Sequence, residues 1–159
     1  MTKKLLERMN EQYKKMEYEL KTVLPEEISR AAALGDLSEN AEYEAALDRQ
    51  RLVQSKIRSL KGRINEIAQI DVARLPKDRS GYGSILMLFD LDQEKEIQYQ
   101  LVMPEDADVA NGRISVSSPI GRALMGKQEG DEVNVTIPSG TKNYEIVSLK
   151  TYHQIDQDL

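Results

Sequence analysis

Apolar residues recur through the first part of the chain at steps of three and four: Leu5, Met9, Tyr13, Met16, Leu20, Leu24, Ile28 and Ala31. That spacing places them on one face of a long helix. Pro25 falls inside the run. Its ring lacks an N–H and crowds the preceding turn, so the pattern predicts a kink near Val23 and Leu24, or a fresh first turn starting there. After Gly35 a second series follows in strictly alternating steps: Tyr43, Ala46, Gln50, Val53, Ile57, Leu60, Ile64 and Ile67. This is a heptad seam. Two helices of about 30 residues joined by a short Gly-containing turn are expected to fold back as an antiparallel coiled coil roughly 45 Å long. The tip of that hairpin lies near residues 35 to 40, and Gln50 reads as a polar residue that fixes the register of the seam.

Beyond Ile70 the helical period stops, and Pro76, Asp78, Ser80, Gly81 and Gly83 read as a linker. Short strands are predicted at 84–91, 96–102, 113–116, 132–137 and 144–149, with turn residues such as Asn111-Gly112 and Ser139-Gly140 between them. Pro119 to Met125 reads as the one helix of this region, with Ser118 as N-cap and Gly126 closing it. The expected class is α+β: a helical hairpin over residues 1–75, a linker over 76–83, and a small antiparallel β domain with one short helix over 84–159.

Charge divides the chain the same way. Residues 1–74 carry 14 basic and 13 acidic side chains, and the other 85 carry 8 and 14, which accounts for the net charge of -5. A general nucleic-acid binder usually has a basic surplus, so this balance speaks against one. No apolar run approaches the roughly 20 residues that span a bilayer, and the polar start lacks a signal-type apolar core. A cytoplasmic protein with no membrane partner is expected. There is no cysteine and a single histidine, His153, which reads as an ordinary packing or surface residue. Any metal must therefore be bound through oxygen ligands.

The candidate chemistry lies at the tip. Between Arg30 and Arg49 there is no basic residue, whereas Asp36, Glu39, Glu42, Glu44 and Asp48 gather five carboxylates there. One reading is structural: Asp36 caps the second helix and Glu39 completes a capping-box-like pair. The other is functional. Asp36 and Glu39, three residues apart at a turn, can face one hard cation, but two carboxylates alone leave Mg²⁺ its waters, so they form half of a metal site. Behind the tip, Arg49, Lys56 and Arg63 recur every seven residues in a stretch without acids. That stripe is either a solvated helix face or a track for RNA phosphates.

The segment from Gly35 to Tyr43, GDLSENAEY, closely resembles the tip signature of the Gre family of bacterial transcript-cleavage factors, and residues 114–133, ISVSSPIGRALMGKQEGDEV, resemble that family's C-terminal segment. The resemblance covers nearly the whole chain and implies that the β domain is FKBP-like. It further implies that the hairpin enters the secondary channel of RNA polymerase, where Asp36 and Glu39 act as the catalytic pair, sharing Mg²⁺ with the polymerase to cleave the nascent RNA 3′ segment of backtracked complexes. No cofactor is then held stably by the chain alone. Tyr43 matches the family's tip tyrosine, though its seam position suits a core role equally. The Ser118-Pro119-Ile120 turn and Arg122 are the candidate polymerase contact, with helix initiation as the plain alternative for Pro119. An FKBP-like fold raises prolyl isomerase activity, but one Phe and no Trp leave little to line such a pocket. A channel-blocking inhibitor, a chaperone-like module and an independent nuclease are the other readings; the last lacks a complete metal site. The hairpin consumes its own apolar seam, so a monomer is expected.

Overall fold

The computed structural model describes residues 1–35 and 40–157. The chain forms two compact units, Met1–Ile70 and Asp71–Leu159. In the first, helix α1 (Thr2–Tyr18) runs through a π-helical turn (Glu19–Val23) into α2 (Leu24–Ala32), and α3 (Ala41–Ala68) returns beside them. Leu5, Met9, Leu24, Ala31, Ala46, Val53 and Ile67 are buried, and every other residue of the two predicted seams is half-buried, Gln50 included.

The π turn resolves what Pro25 does. Within an α-helix the proline ring would press on the carbonyl four residues back, that of Lys21. Instead the turn before it widens by one residue, so that the Leu24 N–H bonds to the Glu19 carbonyl five residues back, and Pro25 sits in the first turn of α2. The helix therefore continues with its apolar face preserved, by widening where the sequence suggested a kink or restart.

The second unit is a five-stranded sheet of β1 (Ile85–Asp90), β2 (Lys95–Val102), β3 (Arg113–Ser115), β4 (Glu132–Ile137) and β5 (Gly140–Lys150), in the order β3-β2-β1-β5-β4. Three of its pairings are antiparallel, but β3 runs parallel to β2, so the sheet is not antiparallel throughout. The connection between them crosses over through two short 3₁₀ turns, Pro104–Asp106 and Val109–Asn111, which the sequence pattern did not reveal. Helix α4 (Pro119–Leu124) and a second, unforeseen helix α5 (Tyr152–Gln157) complete the unit. The core packs Leu86 and Leu88 of β1 with Leu101, Leu124, Val133, Val135, Tyr144 and Ile146.

The expected linker at 76–83 is corrected by the structure. Residues 80–84 are buried. The Ser80 hydroxyl donates to the Leu124 carbonyl and accepts from the Lys127 N–H, while the Ser80 backbone bonds to Lys127 and Gly126. A run rich in Gly and Ser reads as loose because it is polar and flexible; here its polar groups find partners more than forty residues away, which allows burial. Gly83 lies at φ 83, where a Cβ would stand 2.7 Å from the Tyr152 ring, so the segment and α5 are fitted together.

Tyr144 titrates well above an ordinary tyrosine. It is buried on β5, and burial, reinforced by the charges of Tyr99 and Asp90, pushes its hydroxyl up to about 12. The unfolded chain ionises this tyrosine near 10. The raised value therefore adds stability that is complete below about pH 10 and is lost as pH rises through about 12. Tyr144→Phe is expected to flatten the alkaline loss of stability in the C-terminal unit, measured by thermal unfolding at stepped pH; an unchanged profile would assign that loss to other groups.

Candidate functional site

The site is built from the end of the hairpin, where α2 stops at Ala32 and α3 starts at Ala41. Asp36 and Glu39 lie outside the described residues. The N-cap of α3 is Asn40, whose Oδ1 accepts from the Tyr43 N–H at 3.1 Å. This corrects the structural reading of Asp36 as the cap: an Asn directly before AEYEAAL is the better signal, since its short amide reaches the free N–H groups of the first turn. The Asn40 amide also donates to the Ala31 carbonyl on α2. One side chain thus caps one helix and ties it to the other, which pins both ends of the tip segment. Asn40→Ala is expected to cost the hairpin about 1 kcal/mol, read as a lower midpoint of its helical unfolding.

Glu42, Glu44 and Asp48 are exposed on α3, and Asp48 pairs with Arg51 at 2.9 Å. Tyr43 is half-buried in the seam. Just behind the tip an open groove of about 390 Å³ lies between the helices, bordered by Glu27, Arg30 and Ala31 on α2 and by Glu42, Ala46 and Arg49 on α3. No cluster of three or more acidic or histidine side chains that could hold a metal occurs among the described residues.

The three basic stripe residues have different surroundings. Arg49 reaches across to Glu19 with two donors, Nε at 2.7 Å and Nη2 at 3.0 Å. This pairing holds the Glu19 carboxyl below the usual carboxylate range, with the charge of Lys56 adding to it. Sequence reasoning missed Glu19, although both residues flank the seam, where charged pairs between helices are common. Arg63 pairs with Glu66 at 3.0 Å, one residue beyond the acid-free stretch.

In the second unit the candidate contact residues separate into two groups. The Ser118 hydroxyl accepts from the Gly121 N–H at 3.0 Å and donates to the Ser115 carbonyl at 2.7 Å, so it serves as the helix cap. Ile120 packs against the core. Pro119 and Arg122 are exposed. His153 bonds through Nε2 to the Leu75 carbonyl at 2.9 Å, a packing role.

Comparison with known proteins assigns both units to one family. The family model "Transcription elongation factor, N-terminal" matches residues 1–70, and "Transcription elongation factor, GreA/GreB, C-term" matches residues 75–151. The chain belongs to the GreA/GreB family of transcription elongation factors. The GreA proteins of Brucella canis, Brucella suis and Brucella abortus are each 43% identical over 150 residues, covering 94% of this chain and 96% of theirs. Among solved structures, the GreA factor homolog 1 protein of Thermus thermophilus is 23% identical, covering 91% of this chain and 94% of its own, at a TM-score of 0.41. A GreA/GreB protein from Nitrosomonas europaea is 28% identical over 58% of this chain and 79% of its own, at 0.42. The family boundary near residue 70 falls where the two compact units meet. No helix among the described residues is long and apolar enough to cross a membrane.

Proposed function

We propose that this elongation factor inserts the tip of its hairpin into the secondary channel of RNA polymerase and stimulates the polymerase's own cleavage of backtracked RNA. The observation that carries the reading is the position of GDLSENAEY: the segment joins the ends of α2 and α3, with Asn40 fastening the two helices on either side of Asp36 and Glu39.

The chain is not itself an enzyme in this reading. The available donors at the tip are carboxylate oxygens, the type Mg²⁺ takes, and two of them suit an ion whose other ligands come from the polymerase and the RNA. Asp36 and Glu39 would hold that ion. When bound, it favours the attacking water and stabilises charge on the phosphate. Arg49, Lys56 and Arg63 line the path of the extruded 3′ segment, where cationic side chains offset phosphate charge. Pro119 and Arg122 present the C-terminal unit to the polymerase near the channel mouth, while Ser118 and Ile120 support them from within. The factor works in the cytoplasm and is monomeric when free.

Added to stalled, backtracked transcription complexes, the protein is expected to accelerate release of short 3′ RNA fragments and restore elongation. Slower cleavage together with slower elongation would instead identify a channel-blocking inhibitor, and binding without either effect an interaction module.

A further inference from the structure

The hairpin changes its packing and its backbone geometry at one level. Toward the chain ends its seam is filled by Leu5, Met9, Val53 and Ile67, all buried. On the tip side Leu24 is buried directly after the π turn, but beyond it only Ala31 and Ala46 are buried, and the 390 Å³ groove remains open between α2 and α3. Small side chains bring little apolar area and few dispersion contacts, so the end of α2 beyond Leu24 is held to α3 less firmly than α1 is. Close to the change lies the π turn, Glu19–Val23, a form of helix at which sharp bends are found. Glu19, its first residue, is joined to α3 by both donors of Arg49.

We propose that Glu19 and Arg49 form a latch across a hinge: the π turn allows the tip half of the hairpin, residues 24–48, to bend against the other half, and the ion pair holds it in one direction. The bidentate geometry fixes orientation as well as distance, which a single contact would not. Because the pair is partly exposed, with 47% of the Arg49 side chain and 27% of the Glu19 side chain accessible, it is weak enough to open. The direction in which α2 leads to the tip then depends on a contact between two residues thirty apart in the chain. That consequence for cleavage rests on the function proposed above; the hinge and latch do not.

Amide hydrogen exchange on the full-length free protein tests the proposal without polymerase, so its failure is separable from failure of the cleavage reading. Glu19→Ala and Arg49→Ala are each expected to speed exchange about threefold in residues 20–32 and 41–48, the scale of one partly exposed pair, and the swap Glu19→Arg with Arg49→Glu to return it toward wild type. Exchange in residues 3–16 and in the C-terminal unit is expected to stay unchanged. Unaltered exchange in the single variants, no recovery in the swap, or an equal rise throughout the chain would overturn it.

Discussion

Gly121→Ala is expected to destabilise the C-terminal unit by on the order of 3 kcal/mol, at the upper end of the usual cost of overpacking. A Cβ at this position would stand 1.9 Å from the Ser115 carbonyl oxygen and 3.0 Å from the Ser118 hydroxyl. Both neighbours are fixed. Ser118 caps α4 through the Gly121 N–H and donates to that same Ser115 carbonyl, and Ser115 ends β3 in the sheet. The methyl group can be admitted only by moving α4 away from the sheet, which also lifts Leu124 and Ile120 from the core. For a unit of this size such a loss lowers the melting temperature by about 12 to 20 °C. Calorimetry that resolves the two units, or proteolysis followed by mass spectrometry, would show the C-terminal unit failing while the helical hairpin melts as before. A fall below about 1 kcal/mol would mean that α4 is free to shift, contrary to the packing described.

The second large effect concerns chemistry instead of folding. Glu39→Ala is expected to reduce stimulated cleavage by on the order of 100-fold, since under the proposed function Glu39 is one of two protein oxygen ligands, and such a ligand contributes several kcal/mol to holding and placing the ion. Binding to polymerase should be preserved, because the helices and the Asn40 tie remain. If the deficit arises from metal sharing, raised Mg²⁺ restores part of the activity. If Glu39 instead serves only the local structure of the tip, raised Mg²⁺ leaves the deficit untouched and the hairpin itself loses stability.

What was legible in the sequence follows from the range of the interactions involved. The seams of the hairpin could be read because burial along a helix repeats every three or four residues, and Leu5 to Ala31 and Tyr43 to Ile67 keep that period without a break. Strand positions were legible as short runs set between turn residues, and in β4 the run also alternates, with Val133 and Val135 buried between exposed Glu132, Asn134 and Thr136. Ser118 and Pro119 announced α4 through local capping chemistry.

Features set by distant partners were not legible. Ser80 looks like part of a linker until Leu124 and Lys127 are placed beside it. Asp90, an acidic residue near the end of a predicted strand, is fully buried; its Oδ1 accepts from the Asp92 and Gln93 N–H groups, and the Gln93 bond leads in holding its carboxyl below the usual range. The parallel placement of β3 depends on how the 3₁₀ crossover packs, which composition does not encode. At the tip, the family signature singled out Asp36 and Glu39, whereas the Glu19–Arg49 pair needed the register between two helices before it could be seen.

The central claim, that two tip carboxylates complete the polymerase's cleavage site, is tested most directly by RNA cleavage in backtracked complexes with wild-type protein and with the double variant Asp36→Ala, Glu39→Ala, at equal polymerase occupancy. Stimulation by the wild type that the double variant loses is the predicted result. Equal stimulation by both, or none by either despite binding, would contradict it.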